Sequence, residues 1–146
     1  MKKLVLGLCA FCLAMALVAC SGGGGMADGT YTAKSDEAFA ADNHGWTDQL
    51  TVTYQGGKIT SASYESVNAE GLMKSQATFE QYPMEYSPSE WIPLINSNVV
   101  AAGTSDKVDN VAGATNASDS AKALLAGIEK DGKAGETITV QMPATE

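Results

Sequence analysis

Residues Leu50-Thr51-Val52-Thr53-Tyr54 alternate apolar and polar, Gly56-Gly57 follows, and Lys58–Tyr64 alternates more weakly around Ile59. Strict alternation sends successive side chains to opposite faces of a strand, so one face is wet and the other must be covered. Two consecutive glycines supply the positive φ that a two-residue primed turn needs at both central positions. The stretch predicts a β-hairpin, and a lone hairpin is not stable in water without further strands or a helix on its apolar face.

The rest of the chain supplies them. Thr30-Tyr31-Thr32-Ala33-Lys34 is rich in strand formers and predicts a first strand; Glu136–Gln141 alternates and predicts a last one. Between the first strand and the hairpin, Ser35–Thr47 reads as a loop with a turn of helix at Glu37–Ala41. Glu65–Met73 reads as irregular, broken by Gly71, and Lys74–Tyr82 as a helix ending before Pro83. Ser87-Pro88-Ser89-Glu90 is a capping box with proline at the first helical position. The helix it opens carries Trp91, Ile92, Ile95 and Val99 on one side, and Pro93 inside it should kink it or delay its start. Ser118–Ile128 places Ala121, Leu124, Leu125 and Ile128 at i, i+3, i+4 and i+7, with Lys130-Asp131-Gly132 as its stop. The expected fold is a small single α+β domain, an antiparallel sheet with packed helices.

The first twenty residues are of another kind. Met1-Lys2-Lys3 is basic, Leu4–Ala19 is uncharged and apolar, and Leu17-Val18-Ala19-Cys20 resembles a bacterial lipobox. The run is short for a membrane span and suited to a signal peptide. The expected organisation is a signal peptide at 1–19, a lipidated Cys20 with a Gly-rich tether at 20–28, and a folded domain at 29–146. All three cysteines lie in this leader, so the domain can hold neither a disulfide framework nor a cysteine metal site, and one histidine builds no multi-histidine centre. Losing Lys2 and Lys3 with the leader takes the net charge from −8 to −10. Such an acidic chain, without a single arginine, does not follow a nucleic-acid backbone, and it needs a lipid anchor to stay on an anionic membrane.

One segment carries chemistry. In Asp109-Asn110-Val111-Ala112-Gly113-Ala114-Thr115-Asn116-Ala117-Ser118, small residues lead into a helix. Backbone N–H groups there can approach a ligand closely, and a helix N-terminus favours a phosphate. An ordinary helix start, with Asn116 as N-cap and Asp119 three residues on, is the other reading of the same residues. The segment resembles the FMN-binding domain family of sodium-pumping quinone reductases, Rnf-type complexes and small surface lipoproteins. Asp109, Gly113, Ala114 and Thr115 match its motif; Ala112 and Ala117 replace hydroxyl residues, and Ser118 offers a hydroxyl one step later.

The resemblance implies FMN held by Asp109, Gly113, Ala114, Thr115, Asn116 and Ser118. It implies either a phosphoester to Thr115 made by a flavin transferase or non-covalent binding. It also implies a loop near the flavin containing His44 and Trp46, and an electron carrier rather than a catalyst with its own substrate. That carrier would be anchored extracytoplasmically, taking electrons from a membrane donor and passing them to an extracellular or flavin- or quinone-linked acceptor. The alternative is a surface lipoprotein of the same fold that acts as a binding or structural module. The residues themselves suggest no catalytic set and no metal site.

Overall fold

The computed structural model describes residues 25–144. The proposed signal peptide and Cys20 lie outside them. The elements are β1 (Gly29–Ser35), α1 (Glu37–Asp42), β2 (Thr47–Gln55), β3 (Lys58–Val67), α2 (Pro88–Ala102), α3 (Thr115–Asp131) and β4 (Thr137–Val140). Short 3-10 turns stand at Lys74–Gln76 and Ser105–Lys107.

The hairpin forms as its glycines require. Gly56 and Gly57 have φ of 59° and 75°, and Gln55 pairs Lys58 across the turn. A register shift at Thr53/Tyr54 leaves Thr53 opposite Ser61. β1 runs antiparallel to β2 with Tyr31 opposite Val52 and Ala33 opposite Leu50. These side chains face the core, whereas Thr30–Thr53 and Thr32–Thr51 join hydroxyls at 3.1 Å on the other face. The alternation thus divides the sheet into a buried aromatic and aliphatic face and a threonine-lined one.

The sheet order is β3-β2-β1-β4, with β4 parallel to β1. The expected wholly antiparallel sheet is therefore mixed. A parallel neighbour needs a crossover connection, and α3 provides it by crossing the buried face before β4 adds to the free edge of β1. α2 packs on β3 and α3 on β1 and β2. Ala121, Leu124, Leu125 and Ile128 are fully buried beneath α3, as are Ile95 and Val99, or nearly so, beneath α2. Removing a leucine side chain at such a position costs about 2–5 kcal/mol.

Three further expectations change. β3 continues to Val67, into the stretch read as irregular. The helix read over Lys74–Tyr82 is only a 3-10 turn, Lys74–Gln76. That segment has no apolar stripe to bury; Phe79 stands 67% exposed while Lys74 is buried. Pro93 does not delay α2: the helix starts at Pro88, where the Glu90 carboxylate accepts the Ser87 N–H at 3.0 Å, and Pro93 lies inside it on the exposed side. Among the described residues no helix is long and apolar enough to cross a membrane.

Candidate functional site

The loop before α3 is held from inside. Ser118, fully buried, donates its hydroxyl to the Ala114 carbonyl at 2.8 Å and accepts the Val111 N–H at 3.0 Å. Gly113 between them has φ of 82°, and a Cβ there would stand 2.9 Å from Cδ1 of Tyr86. Both the left-handed backbone and the ring require glycine. Tyr86 is itself tied to α2, its carbonyl accepting the Trp91 indole N–H at 3.2 Å.

This closure starts α3 earlier than the cap reading has it. The helix begins at Thr115 with Ala114 as N-cap and no side-chain cap, so Asn116 is a helical residue and not the cap. The first intrahelical bond runs from the Ser118 N–H to the Ala114 carbonyl. The N–H groups of Thr115, Asn116 and Ala117 precede it and point out of the helix end, where the dipole is positive.

That end opens on a cleft of about 830 Å³. Gly113, Ala114, Thr115, Asn116 and Ala117 form one wall, with Thr115 exposed. The α1–β2 turn brings Asn43 and His44, the latter exposed with a φ of 55°. Tyr82 and Met84 line another side, and Met142-Pro143-Ala144 closes the rim. The cleft thus unites His44 with the Gly113–Ala117 segment, far apart in sequence. Three other expected residues do not line it. Asp109 is exposed, its carbonyl accepting the Asn98 side-chain N–H at 3.0 Å. Ser118 is occupied within the loop. Trp46 is buried behind the wall, edge-on to Tyr82 with ring centres 5.9 Å apart.

The floor holds residues that the sequence reading passed over. Asp48, almost completely buried, accepts hydrogen bonds from the Tyr64 phenol at 2.7 Å, the Asn43 amide at 3.3 Å and the Ser66 hydroxyl. Burial and the Asp48 carboxylate push the Tyr64 phenol well above its ordinary value, so it stays a neutral donor. Lys74 is only 4% exposed, its Nζ 5.1 Å from the Trp46 ring centre and 4.9 Å from that of Tyr82. Burial pulls its pKa down, and the carboxylates of Asp48 and Glu65 offset part of that. Asp48 had a signal: it sits in phase with Trp46, Leu50 and Val52 on the inward side of β2, an acid on an apolar face. Lys74 had none, since only tertiary packing buries it.

No family model matches the chain. The crystal structure of the CPE2226 protein from Clostridium perfringens superposes with a TM-score of 0.64 at 28% identity, covering 80% of this chain and 98% of that one. The 15 kDa lipoprotein of Treponema pallidum (strain Nichols) is 33% identical over 134 residues, which span 89% of this chain and 92% of that protein. With that identity along nearly the whole of both chains, the protein belongs to the small-lipoprotein family of the Treponema pallidum 15 kDa lipoprotein.

Proposed function

We propose that this lipoprotein is an extracytoplasmic electron carrier, anchored through Cys20, that holds FMN in the cleft at the start of α3. The observation that carries the reading is the uncapped N-terminus of α3 opening, beside the exposed Thr115 hydroxyl, on a cleft of about 830 Å³. Free N–H groups and the helix dipole suit a phosphate there, and the volume lies within the ~300–1,000 Å³ of cofactor-sized sites. Gly113, left-handed and packed against Tyr86, turns the chain into this helix start, and Thr115 would supply the oxygen for a phosphoester made by a flavin transferase. Bound FMN would supply the electron chemistry; the chain's own residues bind, orient and shield it. A membrane donor and an extracellular or flavin- or quinone-linked acceptor complete the route.

The second reading is an anchored binding module without flavin. Ser118, committed to the loop, offers a ligand no hydroxyl, and Asp119 lines the same cleft with a carboxylate that opposes an anion. Intact mass of the full-length protein co-expressed with a flavin transferase separates the two, with Thr115→Ala as control. A gain of one FMN less one water, absent from the control, supports covalent flavin. A yellow protein of unchanged mass that loses colour on denaturation supports non-covalent FMN. A colourless protein of unchanged mass that takes up no added FMN rejects both flavin forms.

A further inference from the structure

Seven lysines lie among the described residues, and Lys74 alone is buried. A buried ammonium loses most of its hydration and normally finds a carboxylate. Lys74 has two acids close enough to be felt, Asp48 and Glu65, yet among the described residues no side-chain hydrogen bond or ion pair reaches its Nζ, which keeps a little contact with solvent. Those acids are satisfied by neutral donors instead. Asp48 takes Tyr64, Asn43 and Ser66; Glu65 takes the Ser75 hydroxyl at 2.5 Å and the N–H groups of Ser66 and Ser75. Trp46 and Tyr82 meet the cation with ring faces, which attract its charge but accept none of its three N–H donors well. The residue lines the same cleft as the uncapped start of α3. Two positive features from unrelated parts of the chain, each short of an acceptor, therefore share one cavity.

We infer that Lys74 is the anion-binding cation of this cleft, taking a negatively charged group of the bound ligand together with the N-terminus of α3. In its flavin form the inference rests on the function proposed above. FMN then offers two sources of that charge: the phosphomonoester, and the charge that the ring system gains on reduction. A buried ammonium answers either, because an anion is attracted more strongly where water is excluded. Asp42, Asp48 and Asp119 line the same cleft and keep the surround negative, so an anion stays only where Lys74 and the helix end meet it.

The test titrates purified full-length protein in detergent, made without flavin transferase, with inorganic phosphate, FMN and riboflavin. Wild type is compared with Lys74→Met and Lys74→Arg, and the Lys74 ammonium is followed by nitrogen-15 NMR. Phosphate is expected to shift the Lys74 resonance saturably in the wild type. FMN affinity is expected to fall at least tenfold in Lys74→Met and to be retained largely in Lys74→Arg. If riboflavin affinity is untouched, the phosphate is the group bound. If oxidised FMN binds equally but the reduced form binds tenfold more weakly, the charge is that of the ring; for a two-electron couple that is about 30 mV of lowered potential. A wild type that binds neither flavin but shows the phosphate shift supports the inference and rejects the flavin reading. A wild type that binds FMN with no Lys74 shift, and with Lys74→Met unchanged in both redox states, overturns the inference and leaves the flavin reading standing. No Lys74 shift with any of the three ligands overturns it whatever the variants do.

Discussion

The carboxylate of Asp36 accepts the backbone N–H of Met142 at 2.7 Å, across 106 residues of chain. Its other oxygen accepts the Phe39 N–H at 3.0 Å and caps α1. One side chain therefore fixes two walls of the cleft: the turn that carries His44 and the closing strand end that carries Met142. These N–H groups hold the Asp36 carboxyl below the ordinary value of 3.8. A depressed folded value means that the stability is present above the unfolded pKa and lost as pH falls through the folded one. Asp36→Ala is expected to lower the melting temperature at pH 7, to lose that difference in acid, and to speed hydrogen exchange at Phe39 and Met142 together. Exchange accelerated at Phe39 alone would contradict the link between the walls.

Ser118→Ala removes two buried hydrogen bonds and leaves the Val111 N–H without its partner. The expected loss is about 1–3 kcal/mol in chemical denaturation. On the proposed function, flavin loading at Thr115, read by intact mass, should survive wherever the variant remains folded. Loss of loading in a fully folded variant would show that Ser118 acts on the ligand.

Gly113→Ala places a Cβ in the left-handed region and against Tyr86. Backbone strain of this kind costs about 1–3 kcal/mol. Adding Tyr86→Ala should relieve the contact but not the strain, so the double variant should recover only part of the loss. Full recovery would assign the whole effect to the ring.

Lys74→Met should behave unlike an ordinary core change. Burial disfavours the ammonium more than Asp48 and Glu65 favour it, so the substitution is expected to stabilise the ligand-free protein while it weakens anion binding. Asp48 from β2, Glu65 from β3 and the Tyr82 phenol face this ammonium. Its pKa lies below 10.5 in the fold, so anion binding should fade as pH rises through that lowered value. Ligand-free stability should meanwhile climb between the folded and unfolded values, because the unfolded chain there binds the extra proton. A denaturation series across alkaline pH, in wild type and Lys74→Met, checks both signs.

Tyr54 faces the opposite outcome. Burial, then the Glu129 carboxylate and Tyr31, push its phenol up to about 12. The unfolded chain ionises near 10, so the stability due to Tyr54 is whole below that pH and lost as pH rises towards 12. Phenolate absorbance should show Tyr54 titrating late, together with the raised phenols of Tyr64 and Tyr82, and Tyr54→Phe should reduce that late step by one phenol. Ionisation of Tyr54 near pH 10 in the folded protein would contradict its burial.

The elements legible in the residues were those whose cause is local. Gly56-Gly57 can adopt the turn whatever surrounds them, Ser87 and Glu90 satisfy each other within one turn, and the Ala121–Ile128 stripe follows from 3.6 residues per turn. The turn at Gly113 leading into a helix was legible for the same reason: small residues and the Ala121–Ile128 stripe act within a few positions. What tertiary structure decided was everything that depends on residues distant in sequence. β4 lies parallel because α3 crosses the sheet before it. Ser118 turns inward because Val111 and Ala114 present it with two partners, which in turn moves the helix start to Thr115. Lys74, an unremarkable lysine in a polar segment, becomes a buried cation only when Trp46 and Tyr82 close over it. Hydrogen-bond geometry and periodicity act over a few residues and can be read along the chain; desolvation and charge pairing depend on what the fold brings near, and exist only in three dimensions.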